Sequence, residues 1–327
     1  MMQRCPDNPI ITRRDIPESA PHLTDVSAVF NPAAARVGDD ILLILRVQNR
    51  GRETVLMTAR SADGEHFAVD PEPITLTGFD KLGAEIYHIY DPRLTRLEDR
   101  WYVTLSLDTN SGSRVAIAQT ADFRDLKFRA LLGGLEARNG VLFPERIGGR
   151  YCALTRPNRV NTNAGVASGE AIHLLESHDL MTWIDRGPVM RGRPHFWDEL
   201  IGPGPPPVAT DQGWLLIYHG IATHFSSVNV YQAGVALFDL SDPSRLVGRS
   251  RYNILEPRET YELTGQVPNV VFPSGMVVEG AVATPDSRVA VYYGAADTVV
   301  GLAETTVSAL LGACETPPAP SSRSSGM

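Results

Sequence analysis

Hydrophobic and polar positions along the chain follow one pattern that returns five times: a polar turn, a short run of aromatic and aliphatic residues, and a polar residue where the run ends. The runs are GDDILLILRV (38–47), EDRWYVTLSL (98–107), GGRYCALTRP (148–157), DQGWLLIYHG (211–220) and DSRVAVYYGAAD (286–297). Each predicts a β-strand, because a short apolar run bounded by turn residues is the pattern of one. A second pattern follows several of them. TARSADGEHF (58–67), AQTADFRDLKF (118–128) and LESHDLMTW (175–183) share a Ser or Thr, then Asp, then an aromatic, with a weaker copy in ALFDLSDPSRL (236–246). This predicts an Asp-led turn, whose carboxylate caps nearby backbone N–H groups, and an aromatic opening the next strand.

Two hairpins per unit make a four-stranded sheet. Units of about 50–75 residues without helical periodicity are what radial repetition of such sheets produces. The expected fold is therefore all-β, a five-bladed β-propeller forming a single domain over residues 1–312. Residues 313–327 are expected to be a disordered Pro/Ser-rich tail. A large β-sandwich is the alternative. Against it, Arg46, Arg156, His219 and Asp297 stand at or just after the end of the apolar strand in four separate repeats. In a propeller those ends converge on one mouth of the central channel.

Composition narrows the function. Of 327 residues, 28 are Gly and 24 Pro, which implies many tight turns and disfavours long helices. With 38 acidic against 30 basic side chains, the net charge of −8 argues against nucleic-acid binding, which needs a concentrated basic face. No apolar run approaches the roughly 20 residues of a membrane-spanning helix. Cys5, Cys152 and Cys314 have neither disulfide-framework nor metal spacing, and the first residues hold no apolar leader. A cytoplasmic location is expected. His88, His195 and His224 show no ligand spacing, so no metal is expected.

Two segments carry candidate chemistry. In HIYDPRLTRLEDRWY (88–102), Pro92 is expected to keep Asp91 extended and so fix where its carboxylate points. In ARNGVLFPERIGGRYCALTRPN (137–158), Arg138 precedes an Asn-Gly turn signal and Arg156 closes the following strand. With His219 they would form a cationic pocket for phosphate or a carboxylate, since the planar arginine fork donates two parallel hydrogen bonds to such anions. Read singly, Asp91 also suits a turn before proline, and each arginine a surface ion pair.

NPI near the start, VFNPAA, LRVQNRG, IYDPRL, RNGVLFPERIGGRYCALTRP, IGPGPPPVATDQGWLLIYHG, VPNVVFPSG and YYGAADTVVGLA together resemble glycoside hydrolase family 130, the β-mannoside phosphorylases, in order from residue 8 to residue 310. The resemblance implies a five-bladed β-propeller and inverting phosphorolysis of a β-mannoside, giving α-D-mannose 1-phosphate and a free acceptor sugar. Asp91 then matches the catalytic acid, thought to pass its proton through the mannosyl 3-hydroxyl, and Tyr90 lines the same pocket. Arg138, Arg156 and His219 match phosphate-binding positions. Asn31, Arg46 and Asp297 match positions that hold the mannose ring, and Phe272 an aromatic near the acceptor. Phosphate is a co-substrate, and no cofactor or metal is implied. The expected partners are a small oligosaccharide and phosphate, not nucleic acid or membrane, with a homo-oligomer left open.

The chain departs from the family pattern in two places. Leu200 stands where many members carry a phosphate-binding Lys, with Glu199 beside it, and Pro32 follows Asn31 where some members have a small hydroxyl residue. If the Glu199 carboxylate faced the anomeric centre it could activate water, and the enzyme would be an inverting β-mannosidase; otherwise Glu199 is a partner for one of the arginines. A non-catalytic sugar-binding propeller is the third reading. Acceptor and linkage, β-1,4 or β-1,2, are open at this level.

Overall fold

The computed structural model describes residues 2–18, 23–134, 136–162, 165–223, 229–280 and 282–315. The predicted apolar runs become the second strands of five antiparallel sheets. Blade 1 comprises Val26–Val37, Asp40–Asn49, Thr54–Ser61 and Ala68–Val69. Blade 2 comprises Ile86–Leu97, Arg100–Thr109, Gly112–Thr120 and Asp125–Leu131, with Thr75–Thr77 parallel along its outer edge. Blade 3 comprises Ala137–Leu142, Tyr151–Thr162, Ala171–Ser177 and Trp183–Arg191. Blade 4 comprises Leu200–Pro203, Trp214–Ala222, Val230–Phe238 and Leu246–Ser250. Blade 5 comprises Val271–Val278, Arg288–Ala295 and Val299–Thr306, and its fourth strand is Gln3–Arg4 from the other end of the chain. That pairing, Gln3 opposite Glu304 and Arg4 opposite Ala303, closes the ring.

The five apolar runs are hydrophobic on both faces because each second strand is sandwiched between two neighbouring blades. Leu42 and Ile44 pack into the core shared with blade 2, while Leu43, Leu45 and Val47 pack into the core shared with blade 5. The same alternation sends Leu215 and Ile217 toward blade 5, and Trp214, Leu216 and Tyr218 toward blade 3. Tyr102 and Ile117 of blade 2 meet Tyr151 and Ala153 of blade 3 in the remaining interface. Leu42 to Leu45 are fully buried, each side chain contributing about 1.5–3 kcal/mol by leaving water. Trp183 and Trp214 lie in these inter-blade cores, and Trp197 packs against one.

The Asp-led turns form as their local hydrogen bonds dictate. Asp63 Oδ1 accepts from the backbone N–H of Glu65 and His66, and Ser61 Oγ from that of Gly64. Thr120 with Asp122, and Ser177 with Asp179, repeat the arrangement in blades 2 and 3. Asp239 does the same for Ser241 and Asp242 in blade 4. In blade 5 the corresponding Thr306 instead caps the helix Val307–Ala313 by accepting from Ala309 N.

The ordered chain runs past the boundary expected at residue 312. Ala313 closes that helix, and Cys314–Glu315 add a strand to blade 4, with Ser250 opposite Cys314; the rest of the expected tail, 316–327, lies outside the described residues. Among the described residues no helix is long and apolar enough to cross a membrane.

Two local expectations are corrected. Asn139-Gly140 is not a turn: it lies inside the strand Ala137–Leu142, where the register with the next strand shifts between Arg138 and Val141. Asp91 is not extended: its φ is +51°, at the register shift between Tyr90 and Arg93. Asn31 (φ +48°) and Asn139 (φ +52°) occupy matching bulges in blades 1 and 3. Asn and Asp tolerate this left-handed conformation better than other residues with a Cβ. The bulge outweighs the preference that proline imposes on the residue before it, and it re-aims one polar side chain per inner strand.

Candidate active site

The bulges from blades 1, 2 and 3 come together at a cavity of about 270 Å³. Asn31, Arg46, Tyr90, Asp91, Arg138, Arg156, Phe272 and Asp297 line it, together with Asp108, Asn139, Tyr231, Val267 and Val270. Eight sequence-predicted residues thus share one wall system, contributed by four blades.

Asp91 is held from blade 1. Its Oδ1 accepts from Asn31 Nδ2 and from Arg46 Nη1, both at 2.9 Å. The Arg46 guanidinium lies 4.5 Å from the ring centroids of both Phe30 and Tyr90. That sandwich leaves it little rotational freedom and favours its charge over the ring faces. A side chain at position 294 would collide with Asn31, whose Oδ1 lies 2.0 Å from where a Cβ would stand. Gly294, in the YYGAAD block, therefore makes room for a site residue.

Asp297 follows the same inner rim, at φ +48°. Burial pushes its carboxyl up to about 6, Arg46 opposing the rise and Asp91 adding to it.

Arg138 and Arg156 are adjacent across the ladder between the first two strands of blade 3, yet their surroundings differ. Arg138 is anchored, with Nε donating to Ser113 Oγ at 3.0 Å and Nη2 to Asp108 Oδ1 at 3.3 Å. The same Asp108 oxygen accepts from Tyr90 Oη and Ser113 Oγ, each at 2.9 Å. Arg156 has no carboxylate partner among the described residues. Burial pulls it below the usual arginine value, and the nearby charge of Arg138 acts in the same direction.

His219 does not line the cavity. It is fully buried and meets Arg156 from behind, Nη1 to Nε2 at 3.1 Å. Its ring lies 4.7 Å from that of Phe272. Burial, reinforced by the charges of Arg156 and Arg93, pushes it well below the usual histidine range, so it is neutral near pH 7. Gly202, in the IGPGPPP block, allows this packing: a Cβ there would stand 2.4 Å from His219 Cε1 and 2.8 Å from Arg156 Cδ.

Glu199 also lies outside the cavity lining. Its carboxylate accepts from the Thr223 hydroxyl, which together with His195 holds it below the usual glutamate range. Among the described residues it pairs with no arginine, and its side-chain partner is this threonine. Leu200 lies close to Arg156: a Cβ on Gly169 would stand 3.3 Å from Leu200 Cβ and 3.4 Å from Arg156 Cδ.

The sequence reading missed Asp108, Asn139, Tyr231, Val267 and Val270. Asn139 was visible as the blade 3 counterpart of Asn31 and Asp91, all before Pro or Gly. Asp108 directly follows the apolar run 98–107 and so carried the same strand-end signal, whereas Tyr231, Val267 and Val270 reach the cavity from segments with no repeated signal. Tyr231 and Phe272, with ring centroids 6.4 Å apart, and Val267 and Val270 make one side of the cavity apolar. Asn31 Oδ1, Arg46 Nε and Arg156 Nε on the wall, and Arg93 Nη2 and His219 Nδ1 behind it, are buried without a hydrogen-bond partner among the described residues. Such atoms are rare in native structures and mark places that call for an explanation.

Residues 1–316 match a family model described as beta-1,4-mannooligosaccharide phosphorylase, glycoside hydrolase family 130. The chain is 32% identical over 308 residues to the β-1,4-mannooligosaccharide phosphorylase of Ruminococcus albus, covering 92% of this chain and 87% of that protein. It is 30% identical over 318 residues to a 1,2-β-oligomannan phosphorylase of Thermoanaerobacter sp., covering 92% and 96%. Among solved structures, the β-1,2-mannobiose phosphorylase of Listeria innocua in complex with β-1,2-mannobiose superposes with a TM-score of 0.81 at 27% identity, over 95% of this chain and 98% of that one.

Proposed function

The chain belongs to glycoside hydrolase family 130, and from that premise we propose that it cleaves a β-linked mannoside by inverting phosphorolysis, releasing α-D-mannose 1-phosphate and the acceptor sugar. One observation carries the reading: a carboxyl clamped by Asn31 and Arg46 shares a cavity with two arginines, of which Arg156 lacks a carboxylate counter-charge among the described residues.

Inverting cleavage by water uses an acid for the leaving group and a base that activates water from the opposite face. Phosphate is already an anionic nucleophile, so a phosphorolytic site needs the acid and a cationic cradle. Asp91 is assigned as the acid. Its Oδ1 is engaged by Asn31 and Arg46, which makes Oδ2 the oxygen that carries the transferable proton. As the C1–O bond to the acceptor breaks, that proton passes, through the mannosyl 3-hydroxyl as the family resemblance implies, to the departing oxygen. A phosphate oxygen bonds to C1 from the other face, held by Arg138 and Arg156. Asp297, Asn31 and Arg46 bind mannose hydroxyls, and Tyr231, Val267, Val270 and Phe272 form the side against which the acceptor packs. His219 serves phosphate through Arg156 and not by contact.

The assay is incubation with β-1,4- and β-1,2-mannobiose and mannosyl-glucose, with and without inorganic phosphate, following mannose 1-phosphate and free mannose separately. Phosphate-dependent mannose 1-phosphate is expected. Free mannose released at equal rates with and without phosphate would overturn phosphorolysis in favour of hydrolysis, and inactivity on every β-mannoside would favour a binding protein.

A further inference from the structure

Arg93, two residues after Asp91 on the inner strand of blade 2, is fully buried. Its guanidinium crosses the centre of the ring. Nε donates to the carbonyl oxygen of Gly204 on blade 4 at 2.7 Å, and the group lies 5.4 Å from the Phe272 ring on blade 5. Nη1 turns back onto its own strand, donating to the carbonyl oxygens of Asp91 at 3.2 Å and Pro92 at 2.9 Å. Those carbonyls belong to the bulge in which Asp91 takes its left-handed φ of +51°. A non-glycine residue in that region persists only where its surroundings over-determine it.

The receiving end is equally specific. A Cβ on Gly204 would stand 2.6 Å from the Ile217 oxygen and 3.1 Å from the Pro273 oxygen. Gly204 N also donates to Ile217 O at 3.1 Å. The Gly204 carbonyl is thus fixed by blades 4 and 5, and Arg93 ties the bulge of blade 2 to that fixed point.

We propose that Arg93 is a positioning residue for Asp91: by anchoring the bulge carbonyls to blade 4, it sets the direction of the carboxyl that the proposed function employs as acid. A displacement of about 1 Å at a reacting group can cost on the order of 100-fold in rate. The kinetic arm rests on the phosphorolysis reading; a spectroscopic arm does not.

The test compares wild type with Arg93→Lys and Gly204→Ala. Lysine keeps the buried cation but cannot span the Gly204 and bulge carbonyls together, and the added methyl on residue 204 displaces the acceptor. Expected are a kcat lower by at least about tenfold, KM for mannoside and phosphate within about twofold, and a changed 13Cγ resonance of Asp91, identified by its loss in Asp91→Asn. Wild-type kcat in both variants, a loss carried by the phosphate KM, or an unmoved Asp91 resonance would each overturn the assignment. Failure of both variants to fold would make Arg93 a folding residue and overturn it as well. A wild type that makes no mannose 1-phosphate while the Asp91 resonance still moves in both variants would refute the function and uphold the positioning.

Discussion

Arg156 Nη1 and His219 Nε2 lie 3.1 Å apart in the interior between blades 3 and 4. Arginine has donors and no acceptor, so Nε2 must be the acceptor and the imidazole proton sits on Nδ1. A histidine in this state orients the guanidinium without adding charge. Replacing His219 by Ala should therefore raise the phosphate KM by about tenfold, the worth of one hydrogen bond to a charged group, with the mannoside KM little changed. Initial rates over a phosphate series provide the check, and an equal rise in both constants would contradict this role.

Asp91→Asn should leave the fold intact and reduce phosphorolysis by a factor of about 10²–10⁴, the usual contribution of a positioned acid. The amide can still take part in hydrogen bonds with Asn31 and Arg46, so the melting temperature should move little. Measurable turnover near the wild-type rate would mean that the acid lies elsewhere.

Asp297 makes stability depend on pH in a direction opposite to an ordinary ion-paired carboxylate. Its folded value is about 6 against 3.8 for a free aspartate side chain, so between those values the folded chain binds more protons than the unfolded one. Stability from this group is greatest below about pH 4 and is lost as pH rises through 6, by about 3 kcal/mol at most. Asp297→Asn should melt higher than wild type at pH 8, the gap narrowing toward pH 5, while mannoside affinity falls. Thermal melts of both proteins across that range read the difference directly.

Glu199→Gln should retain phosphorolysis within about twofold, because Glu199 is engaged with Thr223 and lies outside the cavity lining. Leu200→Lys should lower the phosphate KM by about three- to tenfold, since it adds a cation beside Arg156. A collapse of activity in Glu199→Gln, measured by mannose 1-phosphate formation, would return Glu199 to the reacting centre.

What the amino-acid order determined by itself was local. Apolar runs such as ILLILRV (41–47) specify strands, and Ser61 with Asp63, Thr120 with Asp122, or Ser177 with Asp179 specify turns through bonds two or three residues apart. Five repeats of those units were enough to call for a ring of blades. The tertiary structure decided what each polar side chain does there. Asp91 meets Asn31 and Arg46 from 60 and 45 residues away, Arg138 meets Asp108 across 30, and Arg93 reaches Gly204 across 111. No local rule tells Arg156, at the cavity wall, from His219, buried behind it. Packing against Gly202 and the neighbouring blade settles that, and with it which group keeps its charge, because burial penalises the charged form.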